Sequence, residues 1–294
     1  MSTASGFFGR KVVQLPDEGV LLVATDLQGN WSDYCAMKAR YAEEEAAGRQ
    51  PVLLFCGDMV HGPSPELNAP GAWPPYLGTA YVDRSAAILR DFSQFVTHAR
   101  AFSLLGNHEH AHVGGPVVSK FYGDEAAVLN AALGEDRERM VDFIATWPLI
   151  AVARCGLAFV HGSPAATMAS QADWEAVDYR GYQGMMPLDM LRQAGPFETV
   201  LWARSATDKE ATAFLAATLP EHGGEGVVVF GHDVVRSGHA KVGARQLCLS
   251  TSYGLHDEDK TYLRVDLAAR YTSVDALRAG VELRPLYSTS DAAG

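Results

Sequence analysis

Five short apolar runs punctuate the chain, and each stops at a polar side chain beside a glycine. Residues 52–56 lead into Gly57, Asp58 and His61, and residues 21–25 lead into Asp26, Gln28, Gly29 and Asn30. Residues 101–105 lead into Gly106, Asn107, His108 and Glu109; 157–160 into His161 and Gly162; 227–230 into Gly231, His232 and Asp233. Runs that are apolar without alternation and bounded by Pro or Gly predict strands buried on both faces. In open α/β sheets, ligands gather outside the carboxyl ends of the strands. The five ends are therefore expected to meet at one site.

Between these runs the period changes. Tyr34, Met37, Lys38 and Tyr41 recur at helical spacing behind Ser32, a candidate N-cap, as far as Gly48. Val82, Ala86, Leu89, Phe92, Val96 and Ala99 predict an amphipathic helix. Residues 111–147 read as helical, with a stripe of Met140, Phe143, Ile144 and Trp147 stopped by Pro148. Thr207 and Glu210 form a capping box ahead of Ala211, Phe214 and Leu215. Residues 149–153 and 157–160, parted by Cys155-Gly156, predict a hairpin, and 246–250 and 261–267 two further strands. Residues 62–78 hold too many prolines and glycines for regular structure. Such a loop is either a surface excursion or a cleft wall presenting Trp73 and Tyr76. Beyond residue 268 the pattern weakens, and 288–294 reads as a loose tail. No repeat or linker divides the chain, so a single α/β domain over 1–294 is expected, its core at about 20–267 with insertions at 62–78 and 111–147.

Composition narrows the setting. A chain of 294 residues, 48% hydrophobic and 20% charged, can bury a substantial core. No run approaches the roughly 20 apolar residues of a membrane span, and the N-terminus lacks a basic segment leading into an apolar signal core. A soluble, cytoplasmic protein with no membrane partner is expected. Cys35, Cys56, Cys155 and Cys248 are scattered, which favours buried reduced thiols over a disulfide framework or a thiolate zinc site. A net charge of -11 without any Lys/Arg cluster argues against nucleic acid as a partner. An acidic protein that binds phosphate must supply positive charge locally, and divalent metal is the ready source.

Phosphoester hydrolysis near neutral pH needs a nucleophile stronger than water and positive charge around the phosphoryl group, and two metals about 3.5–4 Å apart supply both. Such a pair needs a bridging carboxylate with neutral imidazole and amide donors; Asp26, Asp58, Asn107, His161 and His232 are that set. In order, Asp26-Leu-Gln28-Gly-Asn30, Gly57-Asp58-Met-Val-His61, Gly106-Asn107-His108-Glu109, His161-Gly162 and Gly231-His232 resemble the motifs of the calcineurin-like metallophosphoesterases. Val160-His161-Gly162, Leu201-Trp202-Ala203-Arg204 and Ser252-Tyr253-Gly254 follow the order of the phosphoprotein phosphatase branch. The resemblance spans about residues 20–267. It implies a four-layer αββα sandwich of two mixed sheets flanked by helices, with a dinuclear metal site at the strand C-terminal ends. It further implies that Asp26 and Asp58 hold a first metal, and Asp58, Asn107, His161 and His232 a second, with Asp58 bridging. A metal-bridging hydroxide would attack phosphorus without a phosphoenzyme, and His108 would protonate the leaving oxygen. The implied cofactors are two divalent ions, Mn²⁺ foremost, with Fe or Zn²⁺ at the second position.

The departures define the questions. Gln28 stands where the family has a histidine ligand, and is either a ligand or a hydrogen bonder beside the metal. His61 and Gly62 stand where the second motif carries aspartate and arginine. The orienting partner of His108 is therefore open, and one phosphate-binding arginine is missing. Arg204 is a phosphate clamp or one half of a structural ion pair, with Arg236 and Arg245 as further candidates. His110 and His112 are expected as exposed loop histidines. The expected function is a metal-dependent phosphomonoesterase of the serine/threonine phosphoprotein phosphatase type, with Arg204, Trp73, Tyr76 and His61 lining its phosphorylated substrate. The alternatives are a dinucleoside polyphosphate hydrolase, using Trp73 and Tyr76 to stack a base, and a binding protein on a partly degenerate phosphatase fold.

Overall fold

The structure, a computed structural model, describes residues 4–287; the tail expected at 288–294 lies outside the described residues. Its strands are β1 Val12–Gln14, β2 Val20–Ala24, β3 Pro51–Phe55, β4 Ala101–Ser103, β5 Ile150–Ala153, β6 Leu157–Phe159, β7 Val227–Phe230, β8 His239–Val242, β9 Gln246–Leu249, β10 Thr261–Asp266 and β11 Leu283–Pro285. The helices are α1 Trp31–Ala46, α2 Ser85–Phe95, α3 Asn107–Val113, α4 Glu125–Leu133, α5 Arg137–Ala145, α6 Gln171–Glu175, α7 Pro187–Gln193, α8 Pro196–Trp202 and α9 Asp208–Thr218. One sheet runs β1-β5-β6-β7-β9-β8 and the other β11-β10-β2-β3-β4. Both are mixed: β2, β3 and β4 are mutually parallel, as are β6, β7 and β9, while β10 is antiparallel to β2 and β5 and β6 form the expected hairpin.

Strand periodicity builds the layers. Leu21 and Val23 of β2, Val52 and Leu54 of β3, Phe159 of β6 and Val227 and Val229 of β7 fill one cluster between the sheets. Their neighbours Leu22, Phe55, Val228 and Phe230 point the other way, into a cluster shared with helices. On one side Phe55 meets Phe92 of α2 edge-on at 5.7 Å. On the other, Phe214 of α9 meets Trp174 of α6 at 6.1 Å. Helices cover both outer faces, which is the four-layer sandwich expected, and explains why the central strands carry no polar alternation.

Three strands escaped the sequence pattern, and each lies at a sheet edge: β1, β8 and β11. β1 and β11 are only three residues long, and His239-Ala-Lys-Val242 of β8 is only partly buried, so none of them carries an apolar run. Helix starts also moved. The N-cap of α1 is Asn30, whose side chain accepts from the Asp33 N–H at 3.2 Å, and Ser32 lies inside the helix. The stretch at 111–147 is not continuously helical: α3 begins inside the third motif at Asn107, 114–124 is irregular, and α4 and α5 follow. Gly114, with φ 134°, followed by Gly115-Pro116, makes the break. The loop 62–78 holds only two 3₁₀ turns, Pro65–Asn68 and Pro75–Leu77.

One buried ion pair ties the layers at the site edge. Asp33, near the start of α1, takes Lys260 Nζ at 2.8 Å, the Tyr287 hydroxyl at 2.5 Å and the Ser252 hydroxyl at 2.5 Å. Both charges are buried, and without Asp33 the Lys260 ammonium would keep only the part-exposed Asp257 carboxylate at 2.7 Å. Asp33→Ala is expected to lower unfolding free energy by about 3–5 kcal/mol in urea denaturation; a loss below about 1 kcal/mol would show a pair no stronger than a surface one.

Candidate metal centre

The parallel strands deliver their carboxyl ends to one edge of the sandwich, and the chain turns sharply at each. Asp26, Gln28, Asp58, His61 and His232 hold positive φ, at 52°, 41°, 54°, 69° and 65°, and make up five of the seven such non-glycine residues described. Left-handed backbone costs a side-chain-bearing residue roughly 1–2 kcal/mol. Its concentration here marks a place where inward-facing polar groups override local preference. Two motif glycines are required by close approach: a Cβ on Gly106 would lie 2.2 Å from Asp58 Oδ1, and one on Gly57 would lie 2.7 Å from the Gly106 Cα. Glu109 stitches the two loops together, accepting from the N–H groups of Asp58 at 2.9 Å, Met59 at 2.8 Å and Gly106 at 3.1 Å.

His161 Nδ1–H donates to the Cys56 carbonyl at 2.8 Å, which leaves Nε2 as a bare lone pair. That lone pair faces Asn107 Oδ1 at 2.9 Å, His232 Nδ1 at 3.2 Å and Asp58 Oδ1 at 3.4 Å. Acceptors pressed together without a proton between them repel, and a shared cation resolves the repulsion. Ligands held about 2.0–2.2 Å from one ion lie roughly 3–3.6 Å from each other, the spacing found here. The donor set of Asp58, Asn107, His161 and His232 therefore fits a divalent metal, and His161 carries the backbone-bonded second nitrogen usual in metal-binding histidines. Burial would raise the Asp58 carboxyl, but the imidazoles of His161, His108 and His232 outweigh it and hold it at about 2.

A second position is poorer in donors. The Asp26 carboxylate, pushed up to about 6 by burial and by Asp58 beside it, accepts the His232 N–H at 3.0 Å. Gln28 Oε1 takes Lys120 Nζ at 3.0 Å. Lys120 comes from the irregular segment between α3 and α4 and lies 3.5 Å from the centroid of the Tyr253 ring. Burial lowers its pKa to about 8, and no carboxylate pairs with it within 4.0 Å among the described residues. It is the cation that the sequence reading missed, since nothing in Val118-Ser-Lys-Phe121 marks it.

His108 sits beside this cluster with Nε2 3.8 Å from Asp58 Oδ2. Behind it, Nδ1 lies 3.0 Å from His61 Nδ1 and 3.2 Å from Glu125 Oε2. His61 Nε2 in turn meets His112 Nε2 at 2.8 Å, and His112 Nδ1 meets Asn130 Oδ1 at 3.1 Å. His61 is therefore a buried neighbour of His108 and does not line the cavity. His110 and His112 are not the exposed loop histidines expected: both belong to α3, and His110 is buried with Nε2 2.7 Å from the Tyr179 carbonyl oxygen. Glu125 was also unread, because an acid in the first turn of a helix is ordinarily a dipole partner.

Asp58, Asn107, His108 and His232 line a cavity of about 310 Å³ together with Gln28, Lys120, Trp202 and Arg204. Two cavities of about 720 Å³ lie elsewhere and hold none of the five strand-end residues. Arg204 reaches this cavity while its guanidinium takes Asp233 at 2.7 Å and the His232 carbonyl at 3.1 Å. Arg236 and Arg245 are bound to the carbonyls of Gly254 and Thr272. Trp73 and Tyr76 do not line the cavity: Trp73 donates to the Gly78 carbonyl at 2.8 Å, and Tyr76 is 64% exposed.

A two-sheet sandwich with carboxylate, amide and imidazole donors gathered at one strand edge defines a metal-dependent hydrolase. The chain belongs to the calcineurin-like phosphoesterases: the family model matches residues 19–236. No curated protein sequence matches. Among solved structures it is similar to a protein serine/threonine phosphatase from Saccharomyces cerevisiae, with TM-score 0.57, 14% identity, and 87% of this chain and 77% of that one covered. It is also similar to a cold-active protein-tyrosine phosphatase from a psychrophilic Shewanella, with TM-score 0.55, 11% identity, and 91% and 81% covered. At these identities the likeness is one of fold. The protein is a phosphoesterase that uses divalent metal and acts on phosphorylated substrates. None of its described helices is long and apolar enough to cross a membrane.

Asp58 is the residue whose loss should matter most for metal. Asp58→Asn is expected to lower metal content at both positions, measured by elemental analysis after gel filtration, while circular dichroism shows the fold retained. Unchanged metal content in the variant would remove Asp58 from the shared position.

Proposed function

We propose that this phosphoesterase is a phosphomonoesterase of the serine/threonine phosphoprotein phosphatase type. The observation that carries this is the placing of the His108 imidazole beside Asp58, Asn107 and His232 in one cavity, with the lone pair of His161 buried against the same three groups. Divalent metals bound there would acidify a water and withdraw charge from the phosphoryl oxygens. The chain's own residues do the rest. Asp58 would serve both metals, with Asp26 and Gln28 as the further ligands of one and Asn107, His161 and His232 as those of the other. Lys120 and Arg204 draw the phosphate dianion into the cavity from opposite elements. The water oxygen forms the new bond to phosphorus as the ester P–O bond breaks, and His108 Nε2–H donates its proton to the departing oxygen. A positioned acid of this kind contributes about 10²–10⁴-fold.

The other readings have less support. A dinucleoside polyphosphate hydrolase needs rings for two bases, whereas Trp73 and Tyr76 lie off the cavity and Trp202 is the one indole in its lining. A degenerate binding protein would not be expected to keep Asn107, His232 and Asp58 all within 3.4 Å of the His161 lone pair. Four unpaired thiols fit the reducing cytoplasm. Hydrolysis of a phosphoserine peptide and an aryl phosphate by the Mn²⁺-loaded protein tests the proposal. Turnover of a dinucleoside tetraphosphate with none of the peptide would overturn it. His108→Asn is expected to leave metal content unchanged and to slow an alkyl phosphate more than an activated aryl phosphate, whose leaving group needs little protonation. Equal losses would count against the acid role.

The two metal positions differ in chemistry. The first offers oxygen donors alone, one of them shared with Lys120, which suits Mn²⁺ or Mg²⁺; the imidazoles of the second suit Zn²⁺ or Fe. Purified protein should hold fewer than two metals per chain. Gln28→His should tighten the weaker position by roughly 10–100-fold in a calorimetric titration. Equal affinity in both proteins would show that Gln28 does not limit binding there.

A further inference from the structure

We propose that Glu125 is the positioning carboxylate of His108, taking the place left open by the absence of an acid in the second motif. The inference rests on His108 as the proton donor, and its own evidence is a chain of contacts with one consistent proton arrangement. Asn130 Oδ1 can only accept, so His112 Nδ1, 3.1 Å away, carries the hydrogen. His112 Nε2 is then a lone pair and accepts from His61 Nε2–H across 2.8 Å. That leaves His61 Nδ1 as a lone pair, and it faces His108 Nδ1 at 3.0 Å. Glu125 Oε2 approaches the same His108 nitrogen at 3.2 Å. Two acceptors converge on one ring nitrogen, so His108 Nδ1 must carry a proton. Nε2 is thereby the nitrogen left to face the cavity.

The placing of Glu125 is not incidental to a helix start. Its side chain is buried, and Oε2 is aimed at the imidazoles, 3.2 Å from His108 Nδ1 and 3.4 Å from His61 Nδ1, the nitrogen left as a lone pair. Oε1 is fully occupied, accepting from the N–H groups of Lys120 at 2.9 Å and Phe121 at 2.6 Å. Glu125 is the first residue of α4, where unsatisfied backbone N–H groups favour a negative charge without a paired lysine or arginine. One carboxylate thus fixes the ring of His108 with one oxygen and, with the other, the backbone that carries Lys120. The general acid and the phosphate-drawing cation are held in register by the same group.

The full-length, Mg²⁺-loaded protein allows two readouts. Glu125→Gln keeps the side-chain volume and an oxygen for the Lys120 and Phe121 N–H groups while removing the charged acceptor. In ¹⁵N–¹H spectra of the imidazoles, wild-type His108 is expected as the imidazolium, donating from Nε2 and carrying a second proton on Nδ1 that is shifted downfield, and that shift is expected to be lost in Glu125→Gln. In kinetics, Glu125→Gln should lower kcat on an alkyl phosphate by roughly 10–100-fold and on an aryl phosphate by less. KM and metal content should stay the same, Glu125→Asp should recover part of the loss, and Glu125→Gln should cost nothing further in a His108→Asn background. Equal losses on both substrates, or an undiminished loss in the His108→Asn background, would overturn the proposal. So would a wild-type His108 without a proton on Nδ1. If the wild-type protein hydrolyses neither phosphate, the acid role of His108 fails, yet the spectrum still decides whether Glu125 holds the proton on its Nδ1. Should Glu125→Gln not fold, the wild-type spectrum and Glu125→Asp kinetics carry the same decision.

Discussion

Buried acceptors held against one another are the constraint on which the rest of this molecule depends. His161 Nε2 faces an amide oxygen, a carboxylate oxygen and a second imidazole nitrogen within 3.4 Å, with its own proton committed to the Cys56 carbonyl. A loose scaffold would relax such a cluster apart. Here the donors are carried on strand ends whose hydrogen-bonded ladders and two-sided apolar burial leave no room to retreat. The positive φ values at Asp26, Asp58 and His232, and the bare backbone at Gly57 and Gly106, are the local cost of that arrangement. A divalent cation held there would convert the repulsion into ligation and so couple metal binding to the fold itself.

The same constraint shapes the electrostatics around it. With a net charge of -11, the protein repels a phosphate dianion everywhere except where positive charge is concentrated. At the cavity Lys120 has no carboxylate within 4.0 Å among the described residues, while Arg204 is shared with Asp233. Holding an ammonium in such a buried place calls for a rigid segment, and Glu125 supplies the anchor through the backbone of Lys120 and Phe121. The substitutions in the first two motifs are in this way connected. Gln28 binds Lys120, and His61 with Glu125 surrounds His108 Nδ1.

What could be read from the chain were features written within a few consecutive residues. The central strands declare themselves because burial on both faces demands uninterrupted apolar residues. Asp58, Asn107, His161 and His232 follow because each is covalently adjacent to such a strand. The position of each was therefore fixed once the strand was. Short edge strands such as β8, half exposed, left no such trace, and the α1 cap moved to Asn30 because only tertiary geometry chooses between neighbouring polar residues.

Glu125, Lys120 and His112 were decided by tertiary structure alone. Each is far in sequence from the group it serves: Glu125 lies 17 residues after His108, and Lys120 lies 92 after Gln28. The glycine break after α3 turns the chain back so that α4 presents its first residue to the imidazoles, and no periodicity encodes that encounter. The sequence by itself determined which strands are buried and which polar groups stand at their ends, since both are local consequences of covalent order. The identity of the carboxylate behind His108, and of the cation lining the cavity, was settled only by packing, because a contact between distant segments exists nowhere in the chain until it folds.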